Sequence, residues 1–258
     1  MNQEKFRFPR KPFSTHGGAK VPHRKHTTDM QSVVMPSPSE VIIPMSQHIG
    51  APCKVCVSPG DKVYVGTIIG DSDAFVCAPI HSSVSGTVKS VTKLTMPSGA
   101  QTDAVVIESD GEDTPDPQLK APVVENKQDF LKAVRESGLV GLGGAGFPAH
   151  VKLNVPEDKE IDTLIINCAE CEPYITADNR EVIENSWAVI SGIYAVLEIL
   201  DIDRVIIGIE NNKPEAIKIL TEIAENPKYD PEDKVKVLPH KASYPQGAEK
   251  VLIKARTG

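Results

Sequence analysis

TLIINCAECEPYITADNREVIENSWAVISGIYAVLEILDIDRVIIGI, residues 163–209, is the stretch whose reading decides the fold. Its ends, 163–167 and 204–209, are short runs of β-branched apolar residues that read as buried strands. Between them Trp187, Ile190, Tyr194 and Leu197 recur at helical spacing, which predicts one long helix over 182–200. Downstream, Pro214 opens a helix reaching about Ala224, 235–238 gives a third strand, and 247–255 begins a further helix. Strands alternating with helices predict an α/β domain whose parallel sheet is covered on both faces.

Working back towards the N-terminus, the period changes. Residues 41–108 hold the β-branched runs 41–43, 63–65, 84–91 and 104–107, punctuated by turns such as Ser58-Pro59-Gly60-Asp61 and Pro97-Ser98-Gly99, so a small all-β domain is expected. The following segment is acidic and proline-rich (Asp113, Pro115, Asp116, Pro117, Pro122), the composition of an exposed linker. After it Phe130, Leu131 and Val134 sit at helical spacing, and Gly138 stands where a left-handed residue would end the helix. The first 25 residues carry Lys5, Arg7, Arg10, Lys11, Lys20, Arg24 and Lys25 against Glu4 alone, which reads as a solvated basic tail, with a docking segment for anionic lipid or an acidic partner subunit as the alternative. The expected organisation is a basic extension over 1–34, a β domain over 35–110, a linker over 111–125 and an α/β domain over 126–258.

Composition narrows the function. The chain has 258 residues, of which 40% are hydrophobic and 24% charged, the balance of a soluble two-domain protein. A formal net charge of -7 disfavours nucleic acid as the main partner. No apolar run approaches the ~20 residues that span a bilayer, and the first residues lack the apolar core of an export signal, so a cytoplasmic location is expected. Five cysteines in such a chain argue for reduced thiols. Cys53-Lys-Val-Cys56 and Cys168-Ala-Glu-Cys171 are both C-x-x-C, the half-site of a zinc or iron–sulfur centre, yet one lies in each domain. They read as two independent reduced pairs with no metal, and His48 and His81, without a metal-spaced partner, read as structural or surface histidines.

Gly138, Gly141, Gly143, Gly144 and Gly146 place five glycines in nine residues, so the backbone can approach a ligand without Cβ atoms in the way. Exposed amides there suit a phosphate, with Pro148 opening the next helix and Lys152 one turn on adding a full charge. The same glycines match G-x-G-x-x-G, but a helix rather than a strand leads in and Asp162 precedes its strand, so the plain dinucleotide fingerprint does not apply. A glycine-rich hinge between domains is the alternative.

On these residues the chain resembles known flavoproteins. Gly141-Leu-Gly-Gly-Ala-Gly-Phe147-Pro148 followed by Lys152 is similar to the FMN-phosphate loop of the NADH-oxidising subunit of respiratory complex I. Asn167-Cys-Ala-Glu170-Cys-Glu172-Pro173 and Tyr244-Pro-Gln-Gly247-Ala-Glu249 are similar to that family's flavin and nicotinamide segments. Within the superfamily, Val41-Ile-Ile-Pro-Met-Ser-Gln-His48-Ile-Gly-Ala-Pro52 and Pro79-Ile-His81-Ser-Ser-Val-Ser-Gly86 resemble the RnfC family of Rnf electron-transport complexes from about residue 30 onwards.

The resemblance implies a lipoyl-like barrel-sandwich domain followed by a Rossmann-like α/β domain that binds FMN and NADH. It makes Gly141, Gly143, Gly144, Gly146, Phe147, Lys152, Asn167, Glu170, Glu172, Tyr244, Gly247 and Glu249 the cofactor-binding residues. Glu170 would lie near the flavin ring, Glu172 would accept from the nicotinamide or its ribose, and Asn167 would bond the ribityl chain. Two [4Fe–4S] clusters and a ubiquitin-like domain are expected in a C-terminal part beyond this chain. The other Rnf subunits are the expected partners, with the chain peripheral on the cytoplasmic face of the membrane. Three positions depart from the pattern: Leu142 replaces Arg, Ala169 replaces Asp and Ala248 replaces Glu. A related cobalamin reductase and a cofactor-free scaffold are the other implied functions. The β domain also resembles a lipoyl carrier, but its tip, Gly70-Asp-Ser-Asp-Ala-Phe75, has no lysine to acylate, so it is expected to be a scaffold.

Overall fold

The computed structural model describes residues 18–142 and 146–257. They form two compact units: Val34–Lys159, and Glu160–Gly258 joined by the described residues up to Val33.

In the first unit β1 (Glu40–Pro44), β2 (Lys54–Val55), β3 (Lys62–Val63), β4 (Ile68–Asp71), β5 (Ile80–His81), β6 (Gly86–Thr95) and β7 (Gln101–Ser109) make two antiparallel sheets. One runs β1-β7-β6-β3 and the other β2-β4-β5. β7 is central in the larger sheet, and its 104–107 run is buried throughout, whereas the start of β6 alternates buried and exposed. Met45, Val63, Ile69, Ile80, Val88, Val105 and Ile107 fill the core between them. This is the all-β domain that the period-2 runs predict.

The same unit takes in the 111–125 segment and two helices, α1 (Lys127–Glu136) and α2 (Ala149–Leu153). The acidic segment is exposed but pinned: Thr67 Oγ1 donates to Asp116 at 2.5 Å, and the Asp116 amide donates to Val65 O at 2.9 Å. Asn126 Oδ1 caps α1 by accepting from the Gln128 and Asp129 amides at 2.9 and 3.0 Å. Gly138 ends the helix at φ +70, where only glycine is unstrained. Arg135 fastens α1 to the sheet by donating to Asp71 at 2.8 Å and to the Ser72 carbonyl at 2.9 Å.

In the second unit β8 (Thr163–Cys168), β9 (Arg204–Glu210) and β10 (Val235–His240) form a parallel sheet in the order β10-β9-β8. α3 (Ala177–Glu184), α4 (Ser186–Leu200), α5 (Pro214–Ala224) and α6 (Glu249–Thr257) complete it. β9 is central and buried from Val205 to Glu210, which is why its sequence is apolar without alternation. The long helix expected over 182–200 is two helices bent by 90° at Asn185. The apolar stripe continues across the break, so periodicity alone conceals it.

Residues 18–33 correct the expectation of a solvated basic tail. Ala19 and Tyr244 exchange backbone hydrogen bonds of 2.7 and 3.0 Å, and Tyr174 N donates to His23 O at 2.9 Å. Lys25 is the anchor: its ammonium donates to the carbonyls of Glu170, Glu172 and Ile175 at 2.7, 2.9 and 2.5 Å. A turn crowded with carbonyl oxygens offers a cation better acceptors than a tail in water would need, and charge counting along the chain cannot see that. Among the described residues no single helix is long and apolar enough to cross a membrane.

Candidate cofactor site

The residues singled out by sequence fall into one group in each unit. In the β unit the glycine loop follows α1. Gly141 N donates to Phe147 O at 2.9 Å and Ala149 N to Leu139 O at 2.9 Å, so the two ends of the loop are laced together around the Val140–Pro148 bridge. Gly146, at φ +64, packs so closely on the turn below that an added Cβ would stand 3.2 Å from both Gln47 O and His48 Cα. Gly141 differs. Its φ is not left-handed, and among the described residues an added Cβ would meet nothing nearer than 3.8 Å. An open cleft of about 510 Å³ lies here, lined by Gly141, Leu142, Gly146, His48, Ile49 and Met96 among others. Leu142 is 92% exposed at its rim, and Phe147 and Lys152 are also exposed. Gly143 and Gly144 lie outside the described residues. α2 is only five residues long, so the expected contribution of its dipole to an anion site is small.

In the α/β unit the acidic turn leaves the carboxyl end of β8, the end where open α/β sheets bind ligands. Asn167 Nδ2 donates to Gly247 O at 2.8 Å, its Oδ1 accepts from Ala169 N at 3.2 Å, and Gly247 N donates to Cys171 Sγ at 3.4 Å. Asn167 and Gly247 thus join two of the motifs; a Cβ on Gly247 would stand 2.2 Å from Ala169 O. Glu170 is 3% exposed and turned inward, its Oε1 accepting from the Asp178 amide at the start of α3 at 2.8 Å. Its Oε2 is compensated by the ammonium groups of Lys25 and Lys213, each 3.7 Å away. Burial pushes the Glu170 carboxyl above the usual carboxylate range, against the Asp178 amide and the two lysines. Burial likewise lowers the Lys25 ammonium, helped by Lys213. Glu172, Tyr244 and Glu249 are exposed.

Sequence reasoning missed half of this turn's charge balance. Glu210, fully buried at the end of β9, accepts from Lys213 Nζ at 2.9 Å, so two lysines (25 and 213) face two buried glutamates (170 and 210). Pairing of this kind is what lets charges persist inside a protein. The signal was present in Glu210-Asn-Asn-Lys213-Pro214: a strand end followed by a helix start, again at the ligand edge of the sheet.

Two family models match the sequence: the RnfC barrel sandwich hybrid domain over residues 13–112 and the Nuo51 FMN-binding domain over residues 134–258. A component of the proton-translocating ferredoxin:NAD(+) oxidoreductase complex of Clostridium ljungdahlii is 42% identical over 238 residues, covering 91% of this chain and 51% of that protein. This chain belongs to the RnfC family. The counterpart from the Na(+)-translocating complex of Acetobacterium woodii is 42% identical over 94% of the chain and 54% of its own length. The counterpart from the ion-translocating oxidoreductase complex of Rhodobacter capsulatus is 37% identical over 97% and 48% respectively. The chain therefore spans about half the length of the curated relatives it matches. The fold expected from the motifs, a barrel-sandwich domain and then an FMN-binding α/β domain, is that of the matched families. Of the three departures from the complex I pattern, Ala169 is 7% exposed and packs under the Gly247 turn, whereas Leu142 lies open at the cleft and Ala248 is exposed.

Proposed function

We propose that this chain binds FMN and passes electrons between NADH and the rest of an Rnf-type ion-translocating complex. The observation that carries the reading is Gly141. Neither backbone conformation nor crowding among the described residues calls for glycine there, and the space its absent side chain leaves opens into a cleft of about 510 Å³, within the ~300–1,000 Å³ usual for cofactor pockets. The Nuo51 FMN-binding match over residues 134–258 supports the identity of the ligand.

In this reading Gly143, Gly144 and Gly146 present backbone amides to the phosphate, Gly141, whose own amide is bonded to Phe147 O, keeps the cleft clear of a side chain, Phe147 shapes the loop end, and Lys152 adds positive charge. Asn167 and Gly247 hold the acidic turn in shape through the hydrogen bond they share. Glu170 is the buried counter-ion that sets the turn against α3, which leaves Glu172 as the exposed carboxylate for the ribose hydroxyls. A carboxylate there repels a 2′-phosphate, so NADH is preferred to NADPH. Tyr244 and Glu249 complete the nucleotide side. Bound flavin supplies acceptance of a hydride and release of single electrons. Iron–sulfur clusters that take those electrons belong to the half of the relatives' length that this chain does not span. The chain lies peripherally on the cytoplasmic face, held by the other subunits.

The test is an FMN titration of the purified chain, read by a shifted flavin spectrum that bleaches on adding NADH. Gly141→Val puts an isopropyl group at the cleft on a Cβ that meets no described atom nearer than 3.8 Å. It is expected to abolish FMN binding while unfolding stability stays within about 0.5 kcal/mol of wild type. Absence of FMN binding by the wild-type chain, or equal binding by the valine variant, overturns the proposal.

A further inference from the structure

We infer that the β unit carries a zinc site built from His48, Cys53, Cys77 and the carbonyl of Ala78. Pairing by sequence spacing joins Cys53 to Cys56, but the fold does not: Cys56 is exposed, while Cys53 and Cys77 are buried side by side. Their sulfurs are 3.5 Å apart, and His48 Nε2 lies 3.7 Å from each. The Ala78 carbonyl oxygen stands 3.3 Å from Cys53 Sγ, 3.8 Å from Cys77 Sγ and 3.0 Å from His48 Nε2.

These six separations describe a nearly regular tetrahedron. With edges of about 3.5 Å, its centre lies ~2.1 Å from each corner, the ~2.0–2.3 Å length of bonds from Zn²⁺ to oxygen, nitrogen and sulfur. Tetrahedral zinc held by two thiolates and an imidazole requires edges of ~3.8 Å between sulfurs and ~3.6 Å from sulfur to nitrogen, so little movement is needed. Two sulfurs and an imidazole also favour zinc over magnesium or calcium, which take oxygen ligands.

The surroundings prepare the histidine. Its Nδ1 lies 3.1 Å from the Ile49 carbonyl, and donating there puts the proton on Nδ1 and leaves the Nε2 lone pair for the metal. The Ala78 amide also reaches Nε2, at 3.3 Å, a long contact that a metal bond outcompetes. His48 lines the open cleft, so an ion has a route in to two sulfurs that are otherwise sealed. Binding releases the two thiol protons to solvent, Zn²⁺ taking their place. The ion braces the 46–49 turn, on which Gly146 packs and from which its carbonyl accepts a bond from Ile49 N at 3.2 Å. No flavin enters this argument, so the site stands or falls apart from the proposed electron-transfer role.

The test strips the purified 258-residue chain with a chelator and titrates it with Zn²⁺, counting bound metal, and with Co²⁺, reading thiolate-to-metal charge transfer. One tight equivalent and a two-thiolate cobalt spectrum are expected. The double substitution Cys53→Ala, Cys77→Ala removes both; Cys56→Ala keeps both. His48→Ala weakens binding by more than the ~10–100-fold that follows loss of an outer-shell partner. Should the double variant fail to fold, alkylation of the wild type in mild urea decides, since Zn²⁺ must slow labelling of Cys53 and Cys77 relative to the chelator-stripped chain and leave Cys56 equally reactive. Substoichiometric zinc, retention by the double variant, or protection that omits those two cysteines overturns the inference.

Discussion

At the scale of single residues, Glu170 shows how a motif residue acquires a meaning that its sequence context does not reveal. The spacing Glu170-Cys171-Glu172 suggests two carboxylates facing a ligand, as i and i+2 do in an extended chain, but the turn is not extended there: Ala169, Glu170 and Cys171 are all buried, and only Glu172 reaches solvent. Glu170 is buried against the α3 amide of Asp178, and Glu172 is exposed. Because burial raises the Glu170 carboxyl in the folded state, that state holds the proton more tightly than the unfolded chain does. The stability tied to this residue is therefore full below the ordinary carboxylate range and falls as pH rises through the raised value. Glu170→Gln keeps an acceptor for the Asp178 amide and cannot titrate. Urea unfolding between about pH 4 and 7 is expected to show the variant gaining on wild type as pH rises, by no more than ~1.4 kcal/mol per unit. A gain by wild type instead would mean that Lys25 and Lys213 outweigh burial.

At the scale of elements, most strands and helices were legible because burial on one face imposes a period. The 163–167 and 204–209 runs became β8 and β9, Pro214 opened α5, and Gly138 ended α1. What periodicity hides is a bend that keeps the apolar stripe, as at Asn185, and an irregular segment that owes its order to acceptors elsewhere. Residues 18–33 are such a segment: nothing in their own sequence signals that they pack, because the carbonyls that hold Lys25 lie about 150 residues away. Lys25→Ala removes three hydrogen bonds, each worth ~0.5–1.5 kcal/mol net, from carbonyls that water can partly resolvate. A loss of about 1–3 kcal/mol is expected, with faster amide exchange across 18–33 and the acidic turn. Exchange in β7, which packs in the other unit, is expected to stay unchanged. Equal exchange in both proteins would show that the strap is held by its remaining contacts, such as Ala19 with Tyr244 and Arg180 with Thr28.

At the scale of the whole molecule, the chain has two hydrophobic cores that share no residue. One gathers Met45, Val63, Ile69, Val105 and Ile107; the other Ile190, Leu197, Val205, Ile207 and Leu220. The switch from period 2 to helical period announced both cores, but not that α1 and α2 cluster with the strands. Nor could it announce His48, Cys53 and Cys77 as a group, since antiparallel sheets bring together residues that no fixed spacing relates. The single tryptophan separates the cores experimentally. Trp187 lies in α4, edge-on to Tyr229 at 4.5 Å, so its fluorescence reports the α/β core alone, while far-UV circular dichroism reports both. Urea unfolding followed by the two probes is expected to give different midpoints, because separate cores need not melt together. Zn²⁺ at about 100 times its dissociation constant stabilises the unit that binds it by ~2.7 kcal/mol. It should therefore move the dichroism transition of the β unit and leave the tryptophan curve in place. Superimposable curves, shifted equally by the ion, would instead show one cooperative unit, with the cores coupled through contacts that neither core contains.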